Sequence, residues 1–326
     1  MASPTGAGAP GNGEGRHPEV TEPVRHRLGD RLFSGTATLA GILILVVLAG
    51  VAIFLLTEGW PGLSAGGPDE TPGADSFWSY VGPLVFGTVL AAAIALIIAT
   101  PLAIGIALFI SHYAPRRIAG GLGYLIDLLA AVPSVVYGLW GALYLAPKLV
   151  PIYDWLEAHF GWVPFFAGPA SPTGRTMLTA GIVLAIMVLP IITAISREVF
   201  LQTPKLHEEA ALALGATRWE MIRMTVLPYG RSGVVSAAML GLGRALGETL
   251  AVAMVLSPSL VYTFNLISST NSSTIAANIA LQFPEASGVQ VNVLIATGLV
   301  LFIITFIVNY IARAVIARKR DFAGAG

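Results

Sequence analysis

Residues 203–228, TPKLHEEAALALGATRWEMIRMTVLP, lie between two long apolar runs and carry a full set of helix start and stop signals. Thr203 is placed to cap a helix whose first position is Pro204, and HEEAALAL continues in strong helix formers. Gly215 follows where a chain leaving a helix takes a left-handed residue. Thr217 and Glu220 make a capping-box pattern for a second helix, and Pro228 precedes the next apolar run. The stretch predicts a short helix, a tight glycine turn and another helix, displayed together at one face.

What that face belongs to follows from the flanking runs. Of 326 residues 55% are apolar and only 11% charged, where a soluble domain shows about a quarter charged. The chain reads as an all-α integral membrane protein. A helix needs roughly 20 apolar residues to cross ~30 Å of hydrocarbon, and six transmembrane helices are expected at about 37–57, 83–111, 121–147, 176–196, 233–256 and 292–315. The first begins too far into the chain for a signal peptide and lacks a small-residue cleavage site, so it reads as a retained span. Pro101, Pro133 and Pro190 fall well inside spans, where each is expected to kink its helix. Asp127 lies near one end of the third span.

Positive charge orients the chain. Arg16, Arg25, Arg27 and Arg31 precede the first span, and Arg116 and Arg117 lie between the second and third. Arg197, Lys205, Arg218, Arg223 and Arg231 lie between the fourth and fifth, and Arg313, Arg318, Lys319 and Arg320 close the sixth. The opposite loops hold only Lys148 and Arg175, which predicts cytoplasmic termini and a cytoplasmic loop at 198–230. Residues 1–30 read as a disordered tail, 31–80 as the first helix with its outward loop, 81–316 as the main membrane domain, and 317–326 as a basic cytoplasmic end. Outward segments include one rich in Trp155, Trp162, Phe165 and Phe166, as at a headgroup interface, and a Ser/Thr/Asn-rich loop with an N-x-S pattern at Asn271.

With no cysteine, thiol chemistry and thiolate metal sites are excluded, and five scattered histidines without ligand spacing make a metal site unexpected. Net charge is zero, which gives no pointer to nucleic acid, and none is expected as a partner. No span offers a nucleophile with a base, so an intramembrane hydrolase is disfavoured. An ion-gradient transporter would repeat its architecture, and no repeat is evident.

The conspicuous exception to apolarity is GLGRALGETLAV, residues 241–252. A charge at mid-bilayer costs at least ~2.5 kcal/mol, so Arg244 and Glu248 demand an offset. At i and i+4 on one helix they share a face and can partly neutralise each other. Gly243 and Gly247 give that helix a small-xxx-small packing face. Two roles stay open, a structural ion pair or a transient anion site in which Arg244 binds, Glu248 holds the Arg and the Thr249 hydroxyl donates. The glycines do not make a phosphate-gripping loop, since Glu248 stands where its lysine would follow Gly247. No ATP or other cofactor is therefore expected on this chain.

EAALALGATRWEMIRMTVLP resembles the EAA signature of binding-protein-dependent importer permeases through Glu209, Ala210, Ala211, Gly215, Leu227 and Pro228, with Thr225 in place of a frequent Ile. GLGRALGETLAV is similar to the matching segment of PstC-type permease subunits of phosphate-specific ABC importers. The resemblance implies a type I ABC importer permease fold whose cytoplasmic coupling helix, with Glu208, Glu209, Ala210, Ala211 and Gly215, docks on an ATPase. It also implies a PstA-type permease partner in a heterodimer, two copies of a PstB-type ATPase that bind the ATP, and a PstS-type external phosphate-binding protein. The alternative is an importer subunit for another oxyanion or small solute.

Overall fold

The computed structural model describes residues 28–67 and 69–323, and the expected tail lies, up to residue 27, outside them. The chain divides into two units, residues 1–51 and 52–326. In the first, helix α1 (Leu28–Leu63) begins, with exposed apolar side chains from Leu39 to Leu48 as on a lipid-facing span. The second holds the rest of α1 and eleven further helices, α2 (Phe77–Leu108), α3 (Arg116–Ala130), α4 (Ser134–Trp140), α5 (Ala146–Phe160), α6 (Met177–Leu201), α7 (Lys205–Ala213), α8 (Arg218–Met221), α9 (Leu227–Leu246), α10 (Leu250–Val255), α11 (Ile275–Gln282) and α12 (Val289–Ala323). Two-residue strands β1 (Pro258–Ser259) and β2 (Asn271–Ser272) pair in parallel.

Among the described residues five helical runs are long and apolar enough to cross a membrane, at Leu32–Leu63, Phe77–Tyr113, Ser134–Phe160, Met177–Leu201 and Val289–Ile311. Two of the six expected spans need correction. The third, 121–147, is divided at Ala131–Pro133, because Pro133 precedes α4 at an extended backbone position instead of kinking a continuous helix. The apolar run resumes through α4 and α5. The fifth, 233–256, stops at Leu246 and restarts at Leu250, with Gly247 to Thr249 between. Pro101 and Pro190, by contrast, do lie inside α2 and α6.

The centre is α2 packed against α6. Ala95, Ala99, Ala103 and Ala107, four residues apart, have no exposed surface and let the two backbones approach closely. Val183, Leu184, Val188 and Ile192 of α6 and Ala237 and Leu246 of α9 complete this core. A second cluster joins Phe77, Tyr80 and Leu84 to Ile275, Val293 and Ala296, and there the Asn278 amide donates to the Tyr80 hydroxyl at 2.7 Å. The start of α6 and the segment before it are stitched to the segment after β1 by backbone bonds, Leu178 N–H to Leu266 O at 2.9 Å and Ser171 N–H to Ile267 O at 2.8 Å. Asn271, in the N-x-S pattern, is wholly buried and accepts from Met177 N–H at 3.0 Å. It is an internal staple of the fold.

Two prolines follow π turns by the same spacing. Gly141–Leu145 precedes Pro147, and Ile222–Val226 precedes Pro228. In each the next amide reaches back five residues, Ala146 N–H to Gly141 O and Leu227 N–H to Ile222 O. The widened turn takes up the missing proline N–H and the ring clash, so each helix continues. The run from Arg218 to Leu246 is therefore one helical rod, roughly 40 Å long.

Candidate functional site: an elbow and a cavity at opposite ends of one rod

The elbow is built much as its residues dictate. Gly215 has φ +89°, the left-handed turn expected between α7 and α8. The Thr217 hydroxyl accepts from Glu220 N–H at 3.3 Å, and a Glu220 carboxylate oxygen accepts from Thr217 N–H at 2.8 Å. The same carboxylate oxygen also accepts from the Thr217 hydroxyl at 2.8 Å, and the two bonds it accepts, the backbone one first, hold the Glu220 carboxyl below its usual range. Thr203 does not cap α7, contrary to expectation. The helix starts one residue later, after Pro204, and the Thr203 hydroxyl is buried without a partner.

The side chains of the elbow divide between two faces. Ala211 is buried with Met221, Ile222 and Val226 against Phe200 of α6 and Ala107 and Leu108 of α2. Ala210 and Glu209 are exposed, as are Leu206, Leu214 and Trp219. Glu208, expected to be offered outward, meets His112 in the π turn Phe109–Tyr113 that follows α2, with Oε1 3.4 Å from Nε2. The Ser111 hydroxyl holds the other ring nitrogen, Nδ1, at 2.7 Å. An apolar patch beside the exposed Glu209 thus faces outward, while the inner face touches α2 and α6.

At the far end of the rod Arg244 occupies the last turn of α9. Gly241, one turn earlier, rests against Ile192 and Val188, halfway along α6, so Arg244 lies at depth in the bundle. With Gly243 it lines a cavity of about 560 Å³ that also receives Asn309 and Arg313 from α12. Its Nε is buried and makes no hydrogen bond.

The expected Arg244–Glu248 pair does not form. Among the described residues the only acid–base contact within 4 Å is His112–Glu208. Pairing at i, i+4 requires an unbroken helix, and the break at Gly247–Thr249 swings Glu248 away. Glu248, 8% exposed, instead accepts from Ala251 N–H at 3.1 Å and so caps α10. The Thr249 hydroxyl donates to Gly247 O at 3.3 Å, and neither residue lines the cavity. Gly243 and Gly247 are not packing glycines either. Nothing would meet a Cβ at Gly243 within 4 Å, and one at Gly247 would meet only Gly243 O at 3.6 Å. Close approach falls instead to Gly230 and Gly233, against Phe200 and Val199 of α6. Asn309 and Arg313 do not stand out in the sequence as site residues; the only available signal is polarity recurring every fourth position at the end of an apolar helix.

A helical membrane body with an apolar elbow at one end and an unpaired guanidinium held at depth has the parts of a transport subunit. Residues 99–321 match the family described as "Binding-protein-dependent transport system inner membrane component", and the chain belongs to that family. It is 47% identical to the "Phosphate transport system permease protein PstC 2" of Mycobacterium tuberculosis H37Rv, over 90% of this chain and 93% of that one. It is 40% identical to the "Phosphate transport system permease protein PstC" of Mesorhizobium japonicum, over 92% and 94%. A chain of a bacterial alginate ABC transporter, solved with an alginate pentasaccharide-bound periplasmic protein, has the same fold, with TM-score 0.58 and 16% identity over 88% of this chain and 96% of that one.

Proposed function

We propose that the chain is a permease subunit of an ATP-driven importer and passes inorganic phosphate across the bacterial cytoplasmic membrane, with both termini cytoplasmic. The observation that carries the substrate is Arg244, a fixed cation in a cavity at depth, with an unbonded Nε and, among the described residues, no carboxylate within 4 Å. A phosphate stripped of water needs charge-assisted donors, and a forked guanidinium supplies them. The names of the relatives support that substrate. Delivery falls to a PstS-type binding protein on the outer side.

Coupling follows from the rod. The exposed Leu206, Leu214 and Trp219, with Glu209 beside them, are the surface on which a PstB-type ATPase docks, two copies serving this chain and a PstA-type partner. ATP is bound and hydrolysed there and not on this chain. A push on α7 passes through Ala211 and Met221 to Phe200 and into the helix whose last turn holds Arg244.

The test is Arg244→Gln in the assembled importer, reconstituted in liposomes. Gln keeps polar reach and loses the charge, so phosphate uptake is expected to fall at least about 10-fold with assembly intact. Parent-level uptake by that variant would remove Arg244 from the path.

A further inference from the structure

Arg244 does not line its cavity alone. Arg313 of α12 reaches the same 560 Å³ space, and the amide of Asn309, one turn before it, lines it too. α12 packs against α9, so the fold sets both arginines on one cavity although 69 positions separate them in sequence. Among the described residues no Asp, Glu, His, Lys or Tyr side chain lines this cavity, and Arg244 and Arg313 are the only charged groups there. Two like charges sharing one space repel, and among the described residues no carboxylate lies within 4 Å of either. Such an arrangement is relieved by an anion between them.

We propose that Arg313 is a second anion-holding residue, and that Arg244 and Arg313 together hold a free tetrahedral oxyanion in its doubly charged form. The proposal rests on the assignment of Arg244 to the phosphate path and adds a charge preference to it. Two fixed cations match a charge of about −2 better than one, and phosphate moves from about −1 to about −2 as pH rises through the neutral range. Asn309 adds a neutral amide that donates to an oxygen without changing the charge balance. Arg313 also gives the anion a next partner toward the end of α12, so that it need not leave Arg244 unaided.

The experiment uses the complete importer in phosphatidylcholine vesicles, with inorganic phosphate as probe and uptake by each variant divided by that of the parent at the same pH. Arg313→Gln is expected to lower uptake about 10-fold near pH 8 and only about 2-fold near pH 6, because the doubly charged form loses more with the second cation. Arg313→Lys, which keeps the charge, is expected to stay within about 3-fold of the parent at both. Asn309→Asp, similar in size, puts an anion in the cavity and is expected to reproduce the pH-dependent loss, which keeps the test decisive if Arg313→Gln fails to assemble. An equal loss at both pH values, or none, would overturn the proposal. A loss that appears only when phosphatidylglycerol is added would mean that Arg313 holds a lipid headgroup, which also overturns it. If Arg244→Gln abolishes uptake while Arg313→Gln does not, the Arg244 assignment stands and only the second cation falls; if neither changes uptake, both fall.

Discussion

α2 and the α9–α10 segment carry the same kind of sequence, small residues at four-residue spacing in an apolar run, and put it to opposite uses. In α2, Ala95, Ala99, Ala103 and Ala107 are sealed against α6. At the end of α9, Gly243 and the Gly247 that follows the helix meet almost nothing, and Gly243 opens onto the cavity that holds Arg244. The spacing states only that a backbone surface is bare. Whether a neighbour fills it depends on what the rest of the chain brings there, and beside Gly243 a cavity lined by Arg313 and Asn309 of α12 stands in place of a close helix contact.

The widest separation expected between the two regions comes from placing one leucine in each. Ala99→Leu forces three extra carbons into a contact with no free surface, at a cost of about 1–3 kcal/mol or more as the helices are pushed apart. The yield of monodisperse permease on size exclusion should collapse. Gly243→Leu meets open space, so it should fold like the parent and still lose phosphate uptake by filling the cavity. If the two variants behave alike, the distinction between a closed stripe and an open one is wrong.

A smaller effect on folding, with a large one on coupling, is expected at the elbow. Gly215 has φ +89°, and a Cβ at that position would meet nothing within 4 Å, so a side chain there is resisted by backbone strain and not by crowding. Gly215→Val should cost about 1–2 kcal/mol locally and leave the spans in place. Membrane yield should be near normal while phosphate-stimulated ATPase is lost. Stimulation at the parent level would reduce the elbow to a connector.

The elbow is legible in the sequence because its determinants are local. A left-handed glycine and a Thr–Glu capping box act over a few residues and survive almost any tertiary context. The spans are less legible, because hydropathy runs on across a break. Pro133 and the Gly247–Thr249 interruption both sit inside apolar stretches of spanning length, and length argues for continuity. Thr203 misleads because Pro204, not the threonine, ends up at the cap position. Arg313 counts toward orientation as one of a terminal group of cations, whereas α12 continues as helix and carries it alongside α9. That placement depends on a helix pairing, which spacing along one chain does not contain.

The smallest effect separates the two roles proposed for the charges of the broken segment. Had Arg244 and Glu248 formed a pair, removing either charge would strand the other at depth, at roughly 3–5 kcal/mol. In the structure Glu248 is a cap, with one carboxylate oxygen on Ala251 N–H. Glu248→Gln retains an amide oxygen for that bond, so yield and thermal stability should stay close to the parent, whereas Glu248→Ala should lose about 1 kcal/mol with the cap. Exchanging the two residues, Arg244→Glu with Glu248→Arg, sharpens the contrast. An ion pair would survive the exchange, but an arginine at position 248 has no acceptor for Ala251 N–H and would put a guanidinium where the side chain is 8% exposed. The exchanged protein should therefore fold poorly, and recovery of parent stability and uptake by it would restore the ion-pair role and dismantle the anion site.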